Sequence, residues 1–430
     1  MSRFRQLLMS SGGSSPTIDY TEVEYAEFDG NTYIDLGYTA TEATKVEVWF
    51  NAMGNNHMGI FGAEGPAYFY LGIEGGTDLM FGLDTQDKVT SGTYTSLTDW
   101  HSLTLDSQYF YRDFDLLYTY TGVTTFDTFE NLYIGGINGS VEGLFNGRIS
   151  VARIYENDVL VHEYVPCYDS IGTVCFYDKI DNQLVYPAQG TLSAGSIISP
   201  IEYLDSNISE NNKPVIDTLL SAGYFGSVTL TVTSFENSHA VFGSYPTNDS
   251  ANNAFQLYVS SADYYNARIT GLTLSPNTSD FYALNTERVI TFDRVHKTLT
   301  SDGVVFSQTT GSAYSGNSET LYLFGRHKHS STVSSTDRFS GRIKNCQIYK
   351  RVSSTVVGEI LRDYIASVDE NGVGYMFDKV SHLLFGNIGT GAFEIPPDAV
   401  IPVVPTGPIV DPEEPDEPDV PPEPDVELPL

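Results

Sequence analysis

Cysteine, positive charge and long apolar runs are the scarce features of this 430-residue chain. With only Cys167, Cys175 and Cys346 there is no disulfide framework. Cys167 and Cys175 lie close enough in sequence to pair, and all three also read as small buried hydrophobes. Lys and Arg number 22 against 55 Asp and Glu, a net charge of −33. Nucleic acids and anionic membranes both call for a basic face, so neither is an expected partner. No apolar run approaches the ~20 residues of a membrane-spanning helix, so no membrane insertion is expected. Near the N-terminus the longest is Leu7-Leu8-Met9, well short of the ~7–15 residues of a secretory signal.

Catalytic signatures are also missing. A sandwich-type glycosidase needs paired carboxylates on one strand, and its Glu-x-Asp-x-x-Glu spacing does not occur. The nearest stretch, Glu22 to Glu27, lacks the middle Asp and reads as a solvated strand edge. There is no Gly-x-Ser-x-Gly elbow, phosphate loop or zinc spacing. The expectation is a protein that is not an enzyme. Helical periodicity is nearly absent as well. Only Val357, Ile360, Leu361 and Tyr364 fall at helical spacing, which predicts one or two helical turns there.

What the chain has in quantity is Tyr (29), Phe (24) and Gly (38), a mixture that favours strands and turns. Lys45 to Phe50, His101 to Leu105, Val228 to Val232 and Arg288 to Phe292 alternate apolar and polar residues. Period two predicts strands with one buried and one wet face. From Pro396 to Leu430 come 12 prolines, ten acidic residues and no Lys or Arg, predicting an extended acidic tail. Without it the body still carries −23, since −33 plus the ten tail charges leaves that value.

The body repeats itself. Gly147-Arg148-Ile149 followed by Ile154-Tyr155 returns as Gly341-Arg342-Ile343 followed by Ile348-Tyr349. Asn131 to Gly135 is answered by Thr320 to Gly325, Phe176 to Ile180 by Met376 to Val380, and Ile60-Phe61-Gly62 by Val241-Phe242-Gly243. Landmarks in one order at a slowly drifting offset mean a duplicated domain. Each copy, about 180 residues of strands, is large enough for a two-sheet sandwich. The expected division is an arm over 1–19, one copy over 20–198, a second over 199–395, and the tail over 396–430.

The first copy opens with Val23 to Tyr38 and closes with Phe145-Asn146-Gly147-Arg148-Ile149, Ile154 to Asn157, Val165-Pro166-Cys167-Tyr168-Asp169 and Tyr177-Asp178-Lys179. These segments resemble the laminin-G-like, concanavalin-A-like jelly-roll domains of virion proteins of tailed bacteriophages. The second copy is degenerate and lacks the Pro-Cys pair, and the two together span about 20–395. The resemblance implies an all-β chain of two tandem jelly-roll sandwiches. It further implies a non-enzymatic virion structural protein, assembled in the host cytoplasm: a head fibre, capsid decoration or tail appendage used for host or glycan attachment. Alternatives are a secreted or surface bacterial carbohydrate-binding protein and, less favoured, a glycoside hydrolase or lyase on the same scaffold.

Candidate ligand-binding residues come from two aromatic clusters, Tyr109 and Tyr111 around Phe110, and Tyr264 and Tyr265, whose rings can stack on sugars. The basic arm, with Arg3, Arg5, Leu7 and Leu8 before a Gly-Ser hinge, is the candidate anchor to other virion proteins. A homo-oligomer is expected, closed symmetry being the default. No cofactor is expected. Asp78, Asp84 and Asp87 are the oxygens available for a calcium ion, a feature that laminin-G-like domains often have. His327 and His329 lie in a polar segment and read as solvated rather than metal-binding.

Overall fold

The computed structural model describes residues 18–405 except 55–56, 76–77, 91–95, 97, 123–126, 138–142, 207–213, 222–224, 236–239, 246–254, 260–264, 270–271, 275–286, 309–319, 325–326, 329–338, 340, 354–355 and 389–391. Among the described residues there are strands and turns and no helix. The first copy runs through β1 (Tyr20–Glu22), β2 (Ala26–Asp29), β3 (Ile34–Thr41), β4 (Thr44–Ala52), β5 (Met58–Glu64), β6 (Tyr68–Gly75), β7 (Asp78–Asp84), β8 (Gln86–Thr90) and β9 (His101–Asp106). It continues with β10 (Tyr109–Arg112), β11 (Asp115–Thr119), β12 (Asp127–Ile134), β13 (Asn146–Glu156), β14 (Val159–Asp169), β15 (Val174–Asp178), β16 (Gln183–Val185) and β17 (Ser193–Ala194). The second copy begins with β18 (Ser199–Pro200), β19 (Leu204–Asp205), β20 (Ile216–Ser221), β21 (Phe225–Phe235), β22 (Ala240–Tyr245), β23 (Phe255–Val259), β24 (Tyr265–Ile269) and β25 (Leu272–Leu274). It ends with β26 (Arg288–Asp293), β27 (Thr298–Ser301), β28 (Val304–Gln308), β29 (Thr320–Leu323), β30 (His327–Lys328), β31 (Gly341–Arg351), β32 (Val357–Val368), β33 (Gly374–Asp378) and β34 (Leu383–Phe385).

The larger sheet of the first copy has the order β11-β10-β9-β4-β13-β14-β15-β16, and that of the second β28-β27-β26-β21-β31-β32-β33-β34. The smaller sheets run β3-β12-β5-β6-β7-β8 and β20-β29-β22-β23-β24-β25. Along these orders the two copies match strand for strand, with β17 and β30 lying outside the match, and the chain is two tandem jelly-roll sandwiches of one topology. Even irregularities are duplicated. Val161 is an extra residue between the pairs Ile154↔His162 and Tyr155↔Leu160, as Leu361 is between Ile348↔Arg362 and Tyr349↔Ile360. Ile197 bridges Val23 of the first copy, and Ser199 already pairs with Val368 of the second.

Alternation places Val46, Val48 and Phe50 of β4 in the first core, with Phe28, Phe61, Phe81, Phe110 and Phe176 from the other strands. Gly147 and Gly341 lead into strands lying beside β2 and β19. Gly147 is obligatory, because a Cβ there would come within 2.4 Å of the Asn51 carbonyl oxygen. At the start of each β15–β16 type hairpin stands an aspartate. Asp178 accepts from the Ile180 amide at 3.0 Å, and Asp378 from the Asp363 amide at 2.8 Å and the Val380 amide at 3.2 Å.

Two expectations are overturned. Residues 357–364 form part of β32, not a helix, because the extra residue Leu361 shifts the alternation by one and mimics helical spacing. The outer face of the larger sheet of the first copy is also dry over much of its area. Trp49, Val151, Val165, Cys167, Cys175 and Tyr177 point away from their own core and are buried in one apolar cluster with second-copy residues such as Leu361, Tyr364 and Phe385.

Candidate functional site

The sandwiches meet where the turn between β33 and β34 lies on the outer face of β4, β13 and β14. Ser150 Oγ donates to the Ser381 carbonyl at 2.6 Å. Arg153 donates to the carbonyls of Val380 at 2.8 Å and Lys379 at 3.2 Å. The Leu384 amide donates to Glu24 at 3.3 Å, and the Ile197 amide to Glu370 at 2.8 Å. Glu22 sits between Lys179 at 2.9 Å and His382 Nε2 at 3.0 Å. The stretch from Glu22 to Glu27 is thus no solvated edge: the second copy covers Glu22 and Glu24, because β1 and β2 border the docked face. Burial opposes the Glu22 charge, but His382 and Lys179 outweigh it and hold the carboxyl below the usual range. Burial pushes the His382 imidazole down against the opposing pull of the Glu22 carboxylate. Burial raises Glu24 to about 7 against the pull of the Leu384 amide and Arg148.

Beside this contact the two copies leave a cleft of about 580 Å³. One wall comes from β4, β9, β10 and β13, the other from the end of β31, from β32 and from the β33–β34 turn. Each carboxylate among its described lining residues has a cation. Asp106 pairs with Lys45 at 3.9 Å, Glu47 with Arg153 at 3.1 Å, Glu359 with Lys350 at 3.2 Å and Asp363 with Lys379 at 3.4 Å. Four acids against four bases give the described lining a formal charge of zero, in a chain of −33. Burial disfavours the Arg153 charge, but Glu47 and Glu163 more than restore it, leaving its pKa raised. Burial and Asp158 raise Asp106 against Lys45. Tyr111, Phe114 and Tyr155 supply rings, with Lys45 4.8 Å from the Tyr155 ring centre, and Ser102 and Thr104 supply hydroxyls.

Of the aromatic candidates, Tyr111 lines this cleft. The Tyr109-Phe110-Tyr111 run alternates: Phe110 stacks on Phe81 at 3.8 Å in the core, while Tyr109 and Tyr111 share the outer face 6.3 Å apart. Tyr264 lies outside the described residues, as do Arg3, Arg5, Leu7, Leu8 and His329. For Tyr265 and His327 only the backbone is described, in β24 and β30. Asp78, Asp84 and Asp87 do not share one site. Asp78 and Asp84 are opposite ends of β7, about 20 Å apart at strand rise, and Asp87 hydrogen-bonds Tyr70 at 2.5 Å. Cys167 and Cys175 are direct cross-strand partners with unbonded sulfurs 3.6 Å apart.

The grouping of His162, Asp178 and Asp181 could offer a metal three ligand atoms within 4.8 Å of one another. In the second copy Arg362, Asp378 and Ser381 take these places, with Arg362 3.5 Å from Asp378 and the Ser381 hydroxyl 2.6 Å from it. The common element is a buried hairpin aspartate with a basic partner, which is a structural arrangement. The sequence reading missed Lys45, Glu47, Asp106, Arg153, Lys350, Glu359, Asp363 and Lys379. The available signal was that Lys45 and Glu47 alternate outward on β4, but nothing local names their partners.

No protein-family model matches this chain, and no curated protein does. Among solved structures it is similar to the mouse laminin alpha1 chain, domains LG4-5, with 13% identity over 80% of this chain and 96% of that one, at a TM-score of 0.26.

Proposed function

We propose that this protein is a non-enzymatic structural protein of a tailed-bacteriophage virion, a head fibre, capsid decoration or tail appendage, whose two jelly rolls serve host or glycan attachment. The observation that carries the attachment part is the cleft. It is roomy, carries three aromatic rings on its first-copy wall and charged groups on both walls, and each carboxylate among its described lining residues has a cation within 4 Å. The same groups make good hydrogen-bonding partners for hydroxyls. The virion part rests on the opening and closing motifs of the first copy. In this reading the arm carrying Arg3, Arg5, Leu7 and Leu8 docks on other particle proteins, and several copies of the chain assemble around a symmetry axis.

The test is electron microscopy of particles with and without this protein, together with peptide identification of purified particles. A density lost with the protein supports the reading. Identical densities, with the chain recovered free and glycan-bound, would overturn it in favour of a secreted or surface carbohydrate-binding protein.

A further inference from the structure

We infer that the cleft between the two sandwiches is a binding site for an uncharged saccharide, shared by both copies. The inference rests on the attachment reading above and names its ligand class and place. The volume of about 580 Å³ lies within the ~300–1,000 Å³ typical of small-ligand sites. Tyr111 projects from β10 and Phe114 from the turn that follows it, and a half-buried ring offers a flat apolar face to the C–H side of a sugar. Opposite them, Lys350 and Glu359 stand at the adjoining ends of β31 and β32 of the second copy. Paired ammonium and carboxylate groups present donor and acceptor side by side, which suits neighbouring hydroxyls of a pyranose, and charged partners strengthen such bonds.

Charge selects among saccharides. The lining is neutral, so an anionic sugar finds no uncompensated cation and must approach against the field of a chain carrying −33. A cationic sugar finds no free carboxylate, because each is held by its own base. An uncharged ligand replaces water without breaking any of the four pairs. The site also exists only while the copies are docked, since neither wall is complete alone. That docking is supplied by Ser150, Arg153 and the β33–β34 turn.

The experiment presents the full-length chain to immobilised cello-, laminari-, manno- and chito-oligosaccharides (neutral), oligogalacturonate (anionic) and chitosan oligomers (cationic), with calorimetry on any hit. Binding confined to neutral members is expected, with an affinity that changes less than about twofold between about 50 and about 500 mM salt. Tyr111→Ala and Glu359→Ala, on opposite walls, should each weaken it about tenfold or more. Ile171→Ala, an exposed change at the β14–β15 turn away from the cleft, should leave it unaltered. Unchanged thermal melting of each variant shows that folding is intact. Binding only to charged oligomers, no binding at all, or loss in Tyr111→Ala with none in Glu359→Ala would overturn the inference. If the chain is found on particles yet binds no saccharide, the inference fails and the virion reading stands. Saccharide binding without particle association is the reverse.

Discussion

The guanidinium of Arg362 in the second sandwich lies 5.1 Å from the ring centre of Trp49 in the first. Trp49 is 3% exposed although it points out of its own core, and its ring nitrogen donates to Glu47 at 3.1 Å. This one side chain thus joins the apolar contact between the copies to the charged wall of the cleft.

Trp49→Ala should therefore cost about 3–5 kcal/mol, as for a buried core ring. Calorimetry is the check. The copies should melt as one transition in the parent and as two in the variant, and a single unshifted transition would contradict the interface.

The hairpin aspartate of the second copy is fully buried and serves Arg362 and the amides of Asp363 and Val380. Asp378→Ala strands both the charge and the amides, with an expected loss of roughly 3–5 kcal/mol. Asp378→Asn should lose less. Urea denaturation distinguishes these values from an unchanged midpoint.

Glu24 gives the interface a pH dependence. Its carboxyl is raised from 4.5 to about 7 in the folded chain, so between those values the folded state binds more proton than the unfolded one. Stability from this group is therefore lost as pH rises through that window and stays low above it. Glu24→Gln should melt roughly 2–4 °C higher than the parent at pH 8 and converge with it below pH ~5. A constant difference across the pH range would rule out this assignment.

The three thiols should be inert in the native protein. The hydrogen bond between Cys167 and Cys175, together with burial, raises Cys167, and burial raises Cys346. Only thiolates react at useful rates. An aromatic disulfide reagent should label none of them in buffer and all of them in urea. Rapid labelling of Cys167 or Cys175 in the folded chain would show that the interface opens, and of Cys346 that the second core opens.

Residues 18–198 expressed alone would expose Trp49, Val151, Val165 and Tyr177 together. Contiguous apolar patches of that kind drive association. Light scattering should find dimers or larger species for this fragment, and a clean monomer would mean the face is tolerated in water.

Alternation in Lys45 to Phe50 and the Gly-Arg-Ile repeat were enough to fix strands, duplication and sandwich class. Those signals are local, or depend only on the order of landmarks along the chain. The same alternation misjudged two places. At Leu361 one extra residue broke the period, and only the register with Ile348 and Tyr349 reveals a bulge instead of a helical turn. At Trp49, an apolar residue on the supposed wet face gave no hint of what covers it, because its cover, Arg362, is more than 300 residues away. The cleft is hidden for the same reason. Glu47 and Arg153, Lys379 and Asp363 are ordinary surface charges until docking of the second hairpin sets their pairs face to face. Periodicity along the chain decides which residues become strands, whereas long-range packing decides which of their two faces meets water.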